Sequence, residues 1–169
     1  MNTDDYNNCV DKNADAVYRF LLKNLRNSDS ARDILQDAFE RLWKNRNNVN
    51  NESSKSYLFT SAYHIMIDSV RKNKKNSSDD ILENISQNAF NQYSDVKEII
   101  DAAVCKLPQE QRSVILLRDY EGYSYDEISE ITGLSLSAVK VEIFRGRNFL
   151  KKCLETADIF SHNDLEEQA

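Results

Sequence analysis

Lys140, Arg145, Arg147 and Lys151 fall at helical spacing beside a strip made of Ser137, Val141, Phe144 and Asn148. Short polar residues near the start of a helix, with cations farther along, fit a recognition helix in the major groove of duplex DNA. Its first turns meet base edges while the cations meet phosphates. The residues just upstream complete a helix-turn-helix. Ser124 and Glu127 have capping-box spacing for a short helix, YDEISEIT, whose inward residues are Ile128 and Ile131. Gly133 gives the backbone freedom of a tight turn, Leu134 anchors the turn to the core, and Ser135 caps the next helix. Val139, Ile143, Gly146 and Leu150 form that helix's inward face. The alternative is a helical hairpin with a solvated basic face; the short helix, glycine turn and basic second helix together argue against it.

A second basic element lies at 57–75. Its outward face holds Tyr57, Ser61, His64, Asp68, Arg71 and Lys75, with Lys72 and Lys74 beside it and Tyr63 on the flank. Rings interleaved with hydroxyls and cations suit single-stranded DNA, where bases stack and cations follow phosphates. A helix ending in RKNKK also fits a solvated terminus favoured by the helix dipole. A third element, at 30–44, sets Asp33, Gln36, Asp37 and Glu40 in one exposed row. That acidic strip is either a solubilising face or a dock for a basic protein partner.

These elements belong to a chain that reads as all-helical. It has three glycines, one proline and 30% charged residues, with no alternation of apolar and polar positions. Helical spacing runs from about Asp11 to Leu25 (Val17, Phe20, Leu21, Leu25). It resumes near Ser30, where Ser30 and Asp33 resemble a capping box, and continues to Lys44 through Ala31, Leu35, Ala38, Phe39 and Leu42. RNNVNNESSKS (46–56) is a loop. The 57–74 helix follows, with Leu58, Phe59, Ala62, Ile65, Met66, Ser69 and Val70 inward. Residues 76–94 are polar and acidic and read as a flexible linker. Helix returns near Asp95, where Asp95 and Glu98 have capping-box spacing, and stops before Pro108. Pro108 opens another helix that turns Val114, Ile115 and Leu117 inward and ends at Gly122. The expected architecture is two small all-α domains, a helical bundle at 10–75 and a helix-turn-helix domain at 95–154, with an acidic tail at 155–169.

The net charge of −6 is unevenly spread. Residues 55–75 and 135–152 each sum to +4 (five basic, one acidic), whereas 76–101 and 153–169 each sum to −5. Nucleic acid responds to the field within a Debye length of roughly 8 Å, so two basic islands point to two DNA contacts. Cys9, Cys105 and Cys153 are odd in number and unpaired in spacing, and read as reduced thiols that partly fill the core. His64 and His162 have no partner at metal-ligand spacing. No phosphate loop or nucleophile–base pair occurs, so no enzyme activity, cofactor, metal or small-molecule substrate is expected. No apolar run approaches the roughly 18 residues of a membrane span. The start, MNTDDYNNCVDKN, lacks the pattern of a secretion signal, and a cytoplasmic location is expected.

Three blocks, in this order, resemble the extracytoplasmic-function (ECF) group of the bacterial sigma-70 family. ARDILQDAFERLW resembles the polymerase-binding helix, YLFTSAYHIMIDSVRKNKK the helix that engages the −10 promoter element, and LPQEQRSVILLRDYEGYSYDEISEITGLSLSAVKVEIFRGRNFLKK the domain that reads the −35 element. The resemblance covers residues 11–75 and 95–152. It implies that the chain binds core RNA polymerase through Asp33, Gln36, Asp37 and Glu40, chiefly on the clamp of the large subunit. It further implies that the loop before the −10 helix captures a flipped-out base, with Asn47, Asn48, Asn50, Asn51 and Ser53 available there. Tyr57, Tyr63, His64, Arg71, Lys72, Lys74 and Lys75 would then hold the melted strand. The −35 duplex would be met by Ser135, Ser137, Ala138, Lys140, Val141, Glu142, Phe144, Arg145 and Arg147. The linker would thread near the polymerase active site, and catalysis would belong to the polymerase. Relatives are often held inactive by a membrane-anchored anti-sigma factor, which is the further partner implied.

Two positions depart from the family pattern. His64 stands where Asn is usual, and Val141-Glu142 stand where Ser-Arg is usual. Glu142 is placed to pair with Arg145 or to accept from a cytosine amino group. The competing functions are a helix-turn-helix regulator that reads duplex DNA without replacing sigma, and a sigma-like antagonist that binds polymerase without giving transcript.

Overall fold

The computed structural model describes residues 1–76 and 96–166, and side chains as far as residue 157. Among the described residues there are seven α-helices and no strands. The N-terminal unit is a bundle of α1 (Thr3–Leu25), α2 (Ser28–Asn45) and α3 (Ser54–Asn76). The C-terminal unit comprises α4 (Val96–Lys106), α5 (Gln109–Ile115), a π-helical turn (Leu116–Tyr120), α6 (Tyr125–Thr132) and α7 (Leu136–Glu166). The segment expected to be a linker falls almost wholly outside the described residues, as does Asp95 of the second expected capping box.

Local sequence accounts for most of the boundaries. Ser124 and Glu127 form the capping box of α6, with the Glu127 carboxylate accepting the Ser124 backbone N–H at 2.7 Å. That bond holds the Glu127 carboxyl below its ordinary range. Gly133 closes α6 at φ 75°, a left-handed conformation that costs other residues about 1–2 kcal/mol. The Ser135 hydroxyl then accepts the Ala138 N–H at 3.2 Å and opens α7.

Five boundaries differ from the sequence expectation, one of them that of α3, which begins at Ser54 inside the expected 46–56 loop rather than near Tyr57. α1 begins at Thr3 rather than near Asp11, capped by an Asn2–Asp5 box. The added turns bury Cys9 and set the Tyr6 ring edge-on to Trp43 at 4.9 Å, a contact local pattern does not announce. α2 begins at Ser28. Its cap is Asn27, whose side chain accepts the Ser30 N–H at 2.8 Å, so the Ser30–Asp33 pair is not the capping box. The shift follows from Arg26, which ends α1 at φ 55° and leaves Asn27 extended. Pro108 is the residue before α5 rather than its first turn, with φ −52° and ψ 150°. Last, α7 continues to Glu166, through much of the expected tail. Leu150, Cys153, Leu154 and Ala157 extend its apolar stripe onto Ile99 and Ala103 of α4.

The two units are in contact. One set of buried side chains runs from Phe20, Leu42 and Phe59 through Leu107 and Ile115 to Ile128 and Ile143. At the junction the Phe59 and Tyr123 rings meet edge-to-face at 5.4 Å, and Lys55 lies over the Tyr123 ring at 5.3 Å. The Tyr123 hydroxyl is buried beside Ser56 without a well-formed hydrogen bond, and burial holds its phenol well above the ordinary range.

A polar bolt joins α1 to α5. The buried Asn24 amide donates to Phe20 O at 2.8 Å, and its Oδ1 accepts from Gln109 Nε2 at 2.8 Å and Ser113 Oγ at 2.9 Å. Arg112 bonds four carbonyls: Asn24 O at 2.6 Å, Cys105 O at 2.7 Å, Leu107 O at 2.8 Å and Val104 O at 3.3 Å. Three of these lie at or just past the end of α4, where carbonyls lack intrahelical partners.

Candidate nucleic-acid and polymerase interfaces

α7 turns Val139, Ile143 and Gly146 into the core, while Ser135, Ser137, Lys140, Val141, Phe144, Arg145 and Arg147 are exposed. Ala138 is half-buried. Gly146 is needed for packing, since a Cβ there would stand 2.9 Å from Ile115 Cγ1. Glu142 is half-buried and bound to Arg145 at 3.0 Å, the pairing that their spacing allowed. Arg147 is already engaged, with its Nε donating to Asp119 Oδ2 at 3.2 Å. Among the described residues Lys140 is therefore the cation of this face that makes no ion pair, while Arg145 and Arg147 each share theirs with a carboxylate. Asp119, at the π-helical turn, was invisible as a partner because it lies 28 residues away in sequence.

On α2, Asp33, Gln36, Asp37 and Glu40 are all exposed, as the row requires. Glu40 is ion-paired with Lys44, whose hydrogen bond holds its carboxyl below the usual range. Asp33, Asp37 and Glu40 border a groove of about 520 Å³ whose far wall is α3, with Ile65, Asp68, Ser69 and Lys72. The fold thus brings Lys72, assigned from sequence to the −10 strand, alongside the acidic row.

The 46–53 loop presents Asn47, Asn48, Asn50, Asn51 and Ser53 to solvent. Two of these also shape the turn, because Asn50 Oδ1 accepts the Ser53 N–H at 2.7 Å and the Ser53 hydroxyl at 2.6 Å. Beside the loop, Arg46 stacks on the exposed Trp43 ring at 4.1 Å, an aromatic–cation pair the sequence reading passed over. Along α3, His64, Arg71, Lys72, Lys74 and Lys75 are exposed and Tyr57 is half-buried.

Tyr63 is 4% exposed and Ser61 7%, although Ser61 was expected outward and Tyr63 on the flank among the −10 contacts. α3 has a second packed side, directed at the C-terminal unit, and His64 Cε1 lies 4.0 Å from where a Gly133 side chain would begin. Burial raises the Tyr63 phenol, and the Glu110 carboxylate adds to that rise. In this arrangement the loop and the basic end of α3 are open, its middle is covered, and the α7 face is accessible.

The sigma-70 region 2 family matches residues 9–76, and the sigma-70 region 4 family matches residues 97–150. The ECF RNA polymerase sigma factor SigM of Bacillus subtilis is 33% identical over 140 residues, covering 80% of this chain and 86% of SigM. The chain belongs to the ECF sigma factors of the sigma-70 family. Sigma factor SigV of the same organism is 28% identical over 154 residues, covering 89% of this chain and 92% of SigV. A solved structure of sigma factor RpoE in complex with anti-sigma factor NepR, from Bartonella quintana, superposes with a TM-score of 0.72 at 22% identity. It covers 89% of this chain and 97% of that one, a likeness of fold. Membership makes core RNA polymerase and promoter DNA the partners of this ECF sigma factor, and transcription initiation its process. No described helix is long and apolar enough to cross a membrane.

Proposed function

We propose that this ECF sigma factor docks core polymerase with the α2 row, reads a −35 duplex with α7, and holds a melted −10 strand with the 46–53 loop and α3. The N-terminal unit then serves polymerase and the −10 element, the C-terminal unit serves the −35 element, and the protein acts in the cytoplasm without catalysing a reaction itself. The observation that carries this reading is the accessible α7 face, standing on a glycine turn and flanked by Lys140 and Arg145. Full use of α3 by single-stranded DNA requires the C-terminal unit to move off Tyr63. An anti-sigma factor is the natural partner for a form held away from polymerase.

The deciding experiment is reconstituted transcription with core polymerase on a promoter library. Transcripts starting at a fixed distance from a shared pair of elements are expected. Polymerase binding without transcript would instead make the protein an antagonist. DNA binding without polymerase binding would make it a regulator that reads duplex DNA alone.

Replacing Lys140 and Arg145 by alanine is expected to weaken −35 binding and flatten its salt dependence. Two lost phosphate contacts lower the log–log slope by about 2. An unchanged slope, measured by titration from low to physiological salt, would remove these residues from the groove face.

A further inference from the structure

Val141 occupies the centre of the outward face of α7. At about 3.6 residues per turn it lies opposite Leu150, with Ser137 and Phe144 to one side and Arg145 to the other. Val141 is 43% exposed and Phe144 66% exposed, so neither side chain gains much from packing within the chain. Of the polar neighbours, Ser137 and Arg145 lie nearer the centre than Glu142, which stands about 100° round the helix from Val141. The Glu142 side chain is only 16% exposed, and its carboxylate is bound to Arg145 at 3.0 Å. The middle of the reading face is therefore an apolar strip rimmed by Lys140 and Arg145, within a segment of net charge +4 (five basic, one acidic). That rim is complementary to phosphates on either side of a major groove.

The chemistry of the groove narrows what such a strip can recognise. Acceptors and donors line every base pair, but the thymine C5-methyl is the apolar group exposed there. An apolar side chain pressed against a polar base edge would strip water from it and return no hydrogen bond. Against a thymine methyl it gains burial on both sides.

We propose that Val141 and Phe144 are specificity-determining residues that read thymine methyl groups in the −35 duplex. This inference rests on the assignment of α7 to the −35 element. The preferred −35 sequence then carries at least one thymine, on either strand, that cannot be replaced without loss.

The test uses the full chain assembled with core polymerase. Selection from promoters randomised across the −35 region first gives the preferred sequence. Each thymine in it is then replaced by deoxyuridine, which keeps every hydrogen-bonding atom and removes only the methyl. At one position or more, the change is expected to weaken binding about fourfold, the value of one buried carbon group. Holoenzyme carrying Val141→Ser together with Phe144→Ala is expected to bind the thymine and deoxyuridine promoters alike while retaining wild-type helical content. Equal binding of the two promoters by the unsubstituted protein overturns the proposal, as does a preferred sequence without thymine. Failure to enrich any −35 sequence overturns the −35 assignment as well, which separates the two failures.

Discussion

Charge reversal of both Asp33 and Asp37 to lysine is expected to weaken core polymerase binding by about 100-fold or more, near 3 kcal/mol. Both carboxylates are exposed and make no ion pair among the described residues, whereas Glu40 shares its charge with Lys44. The two aspartates thus carry the row's uncompensated negative charge, one helical turn apart. A basic partner surface would meet repulsion in place of attraction, and like charges across an interface cost several kcal/mol. Neither residue supports the core, and Asp33 lies beyond the first turn of α2, so stability should change by less than about 0.5 kcal/mol. Competition binding with labelled core polymerase reads the loss, and binding of an isolated −35 duplex is the control. Polymerase affinity that survives the double reversal would move the docking surface elsewhere on the molecule.

Arg112→Ala should be the most damaging single change to the fold outside the apolar core. The guanidinium spans four carbonyls, from α4, from the residue that follows it and from α1. Burial draws its pKa down, chiefly by removing water, but a guanidinium remains charged throughout the working range. Hydrogen bonds from a charged donor contribute about 1.5–3 kcal/mol each and do not add. Alanine would remove all four bonds at once, leaving Val104 O with the Leu107 N–H at 3.2 Å. A loss of about 3 kcal/mol is expected, seen as a fall in Tm of about 6–12 °C for a chain of this size. Arg112→Lys should recover only part of it, because one ammonium cannot reproduce the planar fork. A loss under about 1 kcal/mol would mean that water already serves these carbonyls. The Asn24 carbonyl lies on α1, so the same variant should also loosen the contact between units, speeding hydrogen exchange around Tyr63.

The amino-acid sequence by itself determined the all-helical class, the helix-turn-helix and the rows of Asp33, Asp37, Lys140 and Arg145. Each rests on a local cause. Apolar residues recur every three or four positions, Ser124 and Glu127 satisfy free N–H groups three residues apart, and Gly133 supplies a left-handed turn within one residue. The Glu142–Arg145 pair is local too, being three residues apart on one helix. Only the tertiary structure decided where contacts reach across the chain. Tyr6 meets Trp43 and extends α1, Leu154 meets α4 and extends α7, and Asp119 occupies Arg147. It also decided that the middle of α3 has two packed sides. A helix face that carries Ser61 and Tyr63 looks the same in sequence whether water or another helical unit lies against it. Which of the two covers it depends on residues such as Asn24 and Arg112, 88 positions apart, whose hydrogen bond exists only once the units have met.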